Sequence, residues 1–430
     1  PDDGGYCVFA GLEQVVDYVL NLHFEKEDID YLRSLNQFNE EFLEYLSTIR
    51  FTGDIYAIPE GTPVFPHEAQ LVETALLLAI NHQTLIATKS RRIVQASEGR
   101  AVMEFGARRA HNFDAAILGA RAAYIAGCAG SATTYSGKEF GVPVLGTMAH
   151  SFIQSFDTEY DAFMYYAKTY PDACTLLIDT YSTLKSGIVN AIKVAKDYLE
   201  PNGYRLKGVR IDSGDMAYLS KKVRKMLDEA GMEDCKIVVS NSLDEYVIES
   251  LIHQQGAKID SFGVGENLIC SKNSPVFGGV YKMVAIEKDG QVIPKIKISD
   301  NVEKVTNPGM KNLNRIMDKE TGMAIADLLT LEDEVIDTTQ DLTIYHPMSR
   351  WKYKVIPANT YTVRDMLVPI FKDGKLVYNL PTLEEIRAYS EKELATIWDE
   401  IKRFVYPQEY YVDLSEKLLN LKLEMLKKYK

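Results

Sequence analysis

No run in the sequence approaches the roughly 20 consecutive apolar residues that cross a bilayer, so a spanning helix is excluded and a soluble protein is expected. Cysteine is sparse: Cys7, Cys128, Cys174, Cys235 and Cys270 are five in number, widely spaced and without a Cys-x-x-Cys. An odd, scattered set argues against a disulfide framework or a zinc site and fits a reducing cytoplasm. Positive charge is in deficit, the formal net charge being -13. Such a chain has no general attraction for nucleic acid, and any phosphate chemistry must rest on a local cluster of Arg, Lys and backbone N–H groups. The phosphate-loop pattern Gly-x-x-x-x-Gly-Lys-Ser/Thr is missing. Gly263-x-Gly265 is not completed to a dinucleotide fingerprint, because Leu268 stands where the third glycine belongs. Also lacking are an initiator Met and the charged-then-apolar opening of a signal peptide; Pro1 to Ala10 reads like the middle of a domain, so the true N-terminus is expected to precede residue 1.

What is present is ordinary globular material, 46% hydrophobic and 25% charged over 430 residues, enough for two or three regions around sizeable cores. Residues 1–100 read as an N-terminal α+β region. Thr52 to Pro66 carries the Gly and Pro punctuation of a small β-region, while Leu71, Ala75, Leu78, His82 and Leu85 have helical spacing within 69–92. A second, Ala-rich helix is expected over 114–129. Residues 101–320 carry a β-then-α beat. Val142–Leu145, Thr175–Ile178, Gly208–Ile211, Lys236–Val239 and Asp260–Phe262 are short apolar runs, and amphipathic helices are marked by Leu184 to Leu199 and by Tyr246 to Ile252. Intervals of about thirty residues match βαβ units, whose parallel strands close readily into a barrel with the active site at their carboxyl ends. Beyond about residue 275 come β-like runs at Gly279–Ile286 and Val292–Ile298, then Asn301–Met317 with Lys304, Lys311 and Arg315. Residues 321–430 form a C-terminal β/helical cap region, helical and charged over Thr382–Lys430. The fold class read from this is α/β, an irregular (β/α) barrel with a helix-rich N-terminal α/β region and a C-terminal cap.

The expected strand ends carry the chemistry. Gly263-Val-Gly265 either turns backbone N–H groups toward a phosphate or is simply a tight βα turn. Asp212-Ser-Gly-Asp215 either holds ribose hydroxyls or Mg²⁺-bound water, or caps a helix. His150, after Gly146-Thr147 and before Ser151, is either a structural residue or a nucleophile toward a phosphoryl group, with Asp179 at the next strand end as the acid to orient its ring. Glu104-Phe-Gly-Ala-Arg-Arg109 brings together an aromatic ring and two guanidinium groups, suited to stacking a planar ring and clamping a carboxylate or phosphate, or else a surface ion-pair cluster.

Taken in order, these segments resemble nicotinate phosphoribosyltransferase from near residue 5 to the C-terminus. The carrying motifs are Leu71-Val-Glu-Thr74, Gln83-Thr-Leu-Ile-Ala-Thr-Lys89, Glu104 to Arg109, Gly146-Thr-Met-Ala-His-Ser-Phe152 and Asp179-Thr-Tyr-Ser182. Further on come Val209-Arg-Ile-Asp-Ser-Gly-Asp215, Val238-Val-Ser-Asn241, Gly278-Gly-Val-Tyr-Lys282 and Lys304-Val-Thr-Asn-Pro-Gly309. Leu176 to Thr183 bears a superficial likeness to the acidic motif of the other large phosphoribosyltransferase class but lacks its second adjacent acid.

The resemblance implies a type II phosphoribosyltransferase barrel, a homodimer with sites near the subunit boundary, and ATP-assisted, Mg²⁺-dependent synthesis of nicotinate mononucleotide from nicotinate and phosphoribosyl pyrophosphate. By it, His150 is the phosphorylated His and Asp179 its orienting acid, and Phe105 stacks on the pyridine. Thr147, Arg108 and Arg210 lie near the nicotinate, Asp212 near the ribose, and Ser240, Asn241, Gly263 and Gly265 near phosphate. Gly130-Ser-Ala-Thr-Thr134 lacks the acid with which the related nicotinamide enzyme reads its amide, which favours a carboxylate substrate. Three departures stand out: Glu266 where relatives often carry a small hydroxyl residue, the absence of the family's N-terminal Asp and Tyr, and a short Pro66-His-Glu-Ala-Gln70 segment.

Overall fold

The architecture comes from a computed structural model that describes residues 4–65, 74–299 and 305–429. Pro66–Gln70, the first residues of the Leu71–Thr74 motif and Lys304 lie outside the described residues. By its contacts the chain divides into two units, residues 85–276 and a discontinuous one made of residues 4–84 with 277–429.

The first unit is organised by short strands buried on both sides. Leu176, Leu177, Val209, Ile211, Ile237, Val239, Phe262 and Val264 are all fully buried, the pattern of parallel strands covered by helices on both faces. The strands are β1 (Ala101–Glu104), β2 (Gly130–Ser131), β3 (Thr175–Leu177), β4 (Gly208–Ile211), β5 (Lys236–Ser240) and β6 (Ser261–Val264). They form one parallel sheet in the order β2-β1-β6-β5-β4-β3. The first strand in the chain therefore lies next to the last.

Val142–Leu145, expected as a strand, makes only an isolated parallel bridge between Val144 and Ser131. Pro143 lies in its middle and offers no N–H for a ladder, though Ser131 N donates to the Pro143 carbonyl at 3.0 Å and Leu145 N to that of Ser131 at 2.9 Å. The expected Leu184–Leu199 helix is present but widened at both ends: Ile188–Val194 is α-helical, with looser π-helical turns at Thr183–Gly187 and Ala195–Leu199. The Ala-rich helix spans Phe113–Ile125, and Thr74–Ala96 is one long helix.

In the second unit the mixed sheet is built from β7 (Lys311–Asp318), β8 (Ala324–Leu331), β9 (Leu342–Tyr345), β10 (Tyr353–Ile356), β11 (Tyr361–Asp365) and β12 (Val412–Leu414), ordered β10-β9-β12-β8-β7-β11. Strand β12 pairs in parallel with β8, so the C-terminal stretch read as helical contains a strand between the helices Leu383–Ala395 and Glu416–Tyr429. A single core cluster joins Phe9, Leu12 and Val16 from the start of the chain to Leu414, Leu418 and Leu419 from its end. Of the two β-like runs beyond residue 275, the strands that form are Ala285–Lys288 and Gln291–Pro294, a hairpin turned by Asp289 and Gly290 at φ 53° and 72°, the geometry of a two-residue turn with both central residues left-handed.

Candidate active site

The carboxyl ends of β1, β4, β5 and β6 open onto a cleft of about 290 Å³. Phe105, Arg108, Thr147, Arg210, Asp212, Ser240, Asn241, Gly263 and Gly265 all line it. His150 and Asp179 do not; they adjoin it through Asp212.

One wall follows from β1. Glu104 ends that strand fully buried, and its two carboxylate oxygens are consumed locally: Oε1 accepts from Gly106 N, and Oε2 accepts from Ser131 Oγ at 2.6 Å. Burial pushes this carboxyl above its usual range, against the pull of those hydrogen bonds. Glu104 thereby fixes the turn Ala107–Arg109, which presents Arg108 and Arg109 exposed at the mouth of the cleft. The surface-cluster alternative for Glu104–Arg109 thus fails for the glutamate, which is a buried anchor.

Phe105 is laid against β6. A Cβ on Gly263 would stand 2.5 Å from Phe105 Cε2 and 2.6 Å from Cδ2, so only glycine lets the ring lie on the strand backbone. The Arg210 guanidinium sits 6.0 Å from the ring centroid, at the outer limit of a cation–π contact. Arg210 Nη1 donates to Thr147 Oγ1, and Nη2 lies 3.6 Å from Asp212 Oδ1. Its Nε is buried without a hydrogen-bond partner. Burial lowers the pKa of Arg210; the Asp212 and Asp179 charges oppose that fall and Arg108 adds to it, but a guanidinium remains charged.

The other wall is acidic. Asp179 follows β3, where a Cβ on Gly187 would fall 1.8 Å from the Ile178 carbonyl oxygen; a side chain there is impossible, and the helix packs directly on the strand end. Asp179 Oδ2 accepts from Asp212 N at 2.9 Å and from Ser213 Oγ at 2.6 Å, while its buried Oδ1 has no hydrogen-bond partner and faces His150 Nε2 at 3.9 Å. Asp212 Oδ2 is closer to that nitrogen, at 3.5 Å, and Asp212 Oδ1 accepts from Ser240 Oγ. The remaining ring nitrogen, Nδ1, is 3.1 Å from Thr180 Oγ1. His150 therefore sits between two carboxylates and a hydroxyl, nearer Asp212 than Asp179. The two readings of Asp212-Ser-Gly-Asp215 divide between its acids: Asp212 faces the cleft, and Asp215 caps the helix Met216–Glu229 by accepting from Tyr218 N at 2.9 Å.

Thr180, Ser213 and Asn267 escape a reading of the sequence. The first two lie inside quoted motifs, but a lone hydroxyl carries no spacing signal. Asn267, buried in the cleft wall, donates to the Leu243 carbonyl at 3.1 Å and so ties the short helix Glu266–Ile269 after β6 to the loop after β5.

A parallel sheet whose strand ends converge a ring, guanidinium groups and acids on one cleft defines an α/β enzyme that binds its ligands at the carboxyl edge of the sheet. Sequence profiles narrow this. The nicotinate phosphoribosyltransferase (NAPRTase) family matches residues 100–330, its N-terminal domain residues 1–84 and its C-terminal domain residues 310–422. The chain belongs to the nicotinate phosphoribosyltransferase family. The nicotinate phosphoribosyltransferase of Bacillus subtilis (strain 168) is 44% identical over 443 residues, spanning 100% of this chain and 89% of the relative. The Homo sapiens protein of that name is 30% identical over 97% of this chain and 89% of its own length. The crystal structure of human nicotinic acid phosphoribosyltransferase superposes with a TM-score of 0.84 at 27% identity, over 99% of this chain and 93% of that one. That of nicotinate-nucleotide pyrophosphorylase from Pyrococcus furiosus gives 0.63 at 26% identity, over 92% and 87%.

Proposed function

We propose that this protein joins nicotinate to 5-phosphoribosyl 1-pyrophosphate to give nicotinate mononucleotide and pyrophosphate, the first step of NAD salvage from nicotinate, with ATP hydrolysis coupled through phosphorylation of His150. The observation that carries the reading is the cleft itself, whose lining Phe105, Arg108 and Arg210 share with Asp212 and Ser240, with the His150–Asp179 pair adjoining it through Asp212. Phe105 offers a face for the pyridine ring, and Arg108 and Arg210 offer positive charge for its carboxylate, the buried Nε of Arg210 being a donor in want of an acceptor. Glu104, the acid that accepts from Ser131 within Gly130–Thr134, has both oxygens engaged by the protein itself, so it is not placed to accept from an amide.

In the sugar-transfer step the pyridine nitrogen lone pair attacks the anomeric carbon as its C–O bond breaks and the electron pair leaves on pyrophosphate. Asp212 and Asp179 lie where positive charge on the ribose would be offset, as carboxylates offset an oxocarbenium-like centre in glycoside hydrolysis. The loops at Ser240–Asn241 and Gly263–Gly265 supply hydroxyl, amide and backbone donors for phosphate. The carboxylate of Asp212, at the edge of the cleft, carries the hard oxygens that would hold Mg²⁺ or its bound water. When bound, it would supply charge neutralisation to the departing pyrophosphate.

In the ATP step an imidazole nitrogen of His150 attacks the γ-phosphorus and ADP leaves, and water later takes the phosphoryl group as inorganic phosphate and restores the imidazole; the carboxylates beside Nε2 can hold a proton on the nitrogen facing them, leaving the other as nucleophile. The six-stranded order supports placing the sheet in an irregular (β/α) barrel of the type II phosphoribosyltransferase kind, and the family reading adds a cytoplasmic homodimer. Among the described residues no helix is long and apolar enough to cross a membrane.

The test is product formation from phosphoribosyl pyrophosphate and Mg²⁺ with nicotinate, nicotinamide or quinolinate, each with and without ATP. Nicotinate should be preferred and ATP should stimulate; a clear preference for nicotinamide overturns the assignment.

A further inference from the structure

Glu266 is a carboxylate on the side of the cleft that also carries Arg109, Gly263 and Gly265. It is the first residue after Gly265 and lies between two cations, its Oε1 3.6 Å from Lys272 Nζ and its Oε2 4.0 Å from Arg109 Nε. Among the described residues neither cation has another ion-pair partner. Both separations exceed the 2.7–3.2 Å typical of an N–H···O hydrogen bond, and the side chains of Arg109, Glu266 and Lys272 are 63%, 43% and 57% exposed. The carboxylate thus offsets charge without being locked in place.

The backbone beneath these side chains is tied. Cys270 Sγ donates to the Arg109 carbonyl oxygen at 2.9 Å, joining the turn that carries Arg109 to the end of the short helix Glu266–Ile269. The charged tips can therefore exchange partners while their attachment points stay fixed.

We propose that Glu266 is an internal competitor for phosphate at this cleft, occupying Arg109 in the cleft wall and Lys272 beside it until a diphosphate group, with more than one negative charge, takes the two cations over. The proposal rests on the phosphoribosyl-transfer reading. A monoanion gains no more from the two cations than Glu266 already gives them, whereas a diphosphate outcompetes it. Glu266 thereby weakens the binding of every phosphate ligand and makes multiple charge the condition of entry.

The test compares the unaltered protein with Glu266→Gln, using calorimetric titration with inorganic pyrophosphate and steady-state kinetics. Glu266→Gln should tighten pyrophosphate binding by about threefold or more, the scale of losing two exposed ion-pair partners. It should lower KM for phosphoribosyl pyrophosphate by a similar factor and leave KM for nicotinate unchanged. Adding Arg109→Ala should erase most of that gain, because the released cation is then gone. A thermal midpoint within a few degrees checks that the half-exposed substitution leaves the fold intact. If pyrophosphate binds Glu266→Gln no more tightly, or more weakly, Glu266 orients the cations for substrate instead and the proposal is overturned. If the unaltered protein makes no product, the functional reading fails, while the pyrophosphate comparison still decides the role of Glu266.

Discussion

Replacing Gly263 by alanine tests how Phe105 is held. The new methyl would arrive 2.5 Å from Phe105 Cε2, 2.6 Å from Cδ2 and 3.3 Å from Ser240 Cβ. Carbon atoms rest at about 3.5–4.0 Å, so the ring must retreat by about 1 Å. It has room to do so only toward the cleft it lines, where the pyridine would stack. Overpacking of this kind costs about 1–3 kcal/mol of stability. A shift of about 1 Å in a positioning group can lower turnover by about a hundredfold. We therefore expect Gly263→Ala to stay folded, with kcat/KM for nicotinate reduced about 10- to 100-fold and KM for phosphoribosyl pyrophosphate changed much less. Steady-state kinetics with each substrate varied in turn separate the two, and Phe105→Leu in the same chain should recover part of the lost stability by removing the clash, without restoring nicotinate kinetics. A Gly263→Ala enzyme with unaltered nicotinate kinetics would refute the argument, because the ring would then not be seated on the β6 backbone.

Three further outcomes are expected. His150→Ala should abolish transfer of label from γ-³²P-ATP to the protein and remove the stimulation of product formation by ATP while leaving slow ATP-independent synthesis; full ATP stimulation in the variant would eliminate the phosphohistidine step. Glu245 holds Lys89 at 2.9 Å and Arg92 at 2.8 Å with all three side chains almost wholly buried. Glu245→Gln should cost about 3–5 kcal/mol in urea unfolding because it strips a buried carboxylate from two cations, and a loss below about 1 kcal/mol would contradict that. Asp413, buried on β12, has its carboxyl raised by burial from 3.8 to about 6, opposed by Lys352 and Lys354 and reinforced by Glu409. As pH rises the unfolded chain ionises first while the folded one keeps its proton, so stability falls between about pH 4 and 6. Two pKa units correspond to about 3 kcal/mol; Asp413→Asn should be more stable than the parent at pH 7.5 and equal to it at pH 3.5, and an equal gain at both would disprove the linkage.

How much was legible in advance depended on whether the signal was local. Gly208–Ile211 reads as a strand from its own residues and is one, because a run of buried apolar side chains ending in a polar motif announces itself. Ala101–Glu104 does not: four residues of mixed propensity become a strand because β2 and β6 flank them, and pairing across about 160 residues of chain leaves no trace in a short window. Val142–Leu145 shows the converse, an apolar run whose Pro143 withholds the donor a ladder needs. In the cleft, Phe105, Arg210 and Asp212 could be named from residue type and motif. The Thr180 contact to His150 and the Asn267 tie to Leu243 could not, since each is a single polar side chain made meaningful by a neighbour distant in sequence. Glu266 was conspicuous as a departure from the family pattern, yet its two cations were not, because ion pairing depends on where loops end.

The discontinuous second unit has a consequence for synthesis. Phe9, Leu12 and Val16 share a core with Leu414, Leu418 and Leu419, so about 400 residues must leave the ribosome after the first of these before the last can join it. At ~5–20 residues per second, that interval is about 20–80 s. The contiguous residues 85–276 emerge in the meantime with their own parallel sheet complete. The nascent chain therefore carries a finished catalytic segment and an unsealed apolar N-terminal surface together while residues 277–419 are being made. That exposed surface marks the N-terminal segment as the part most in need of chaperone cover until the last helix arrives.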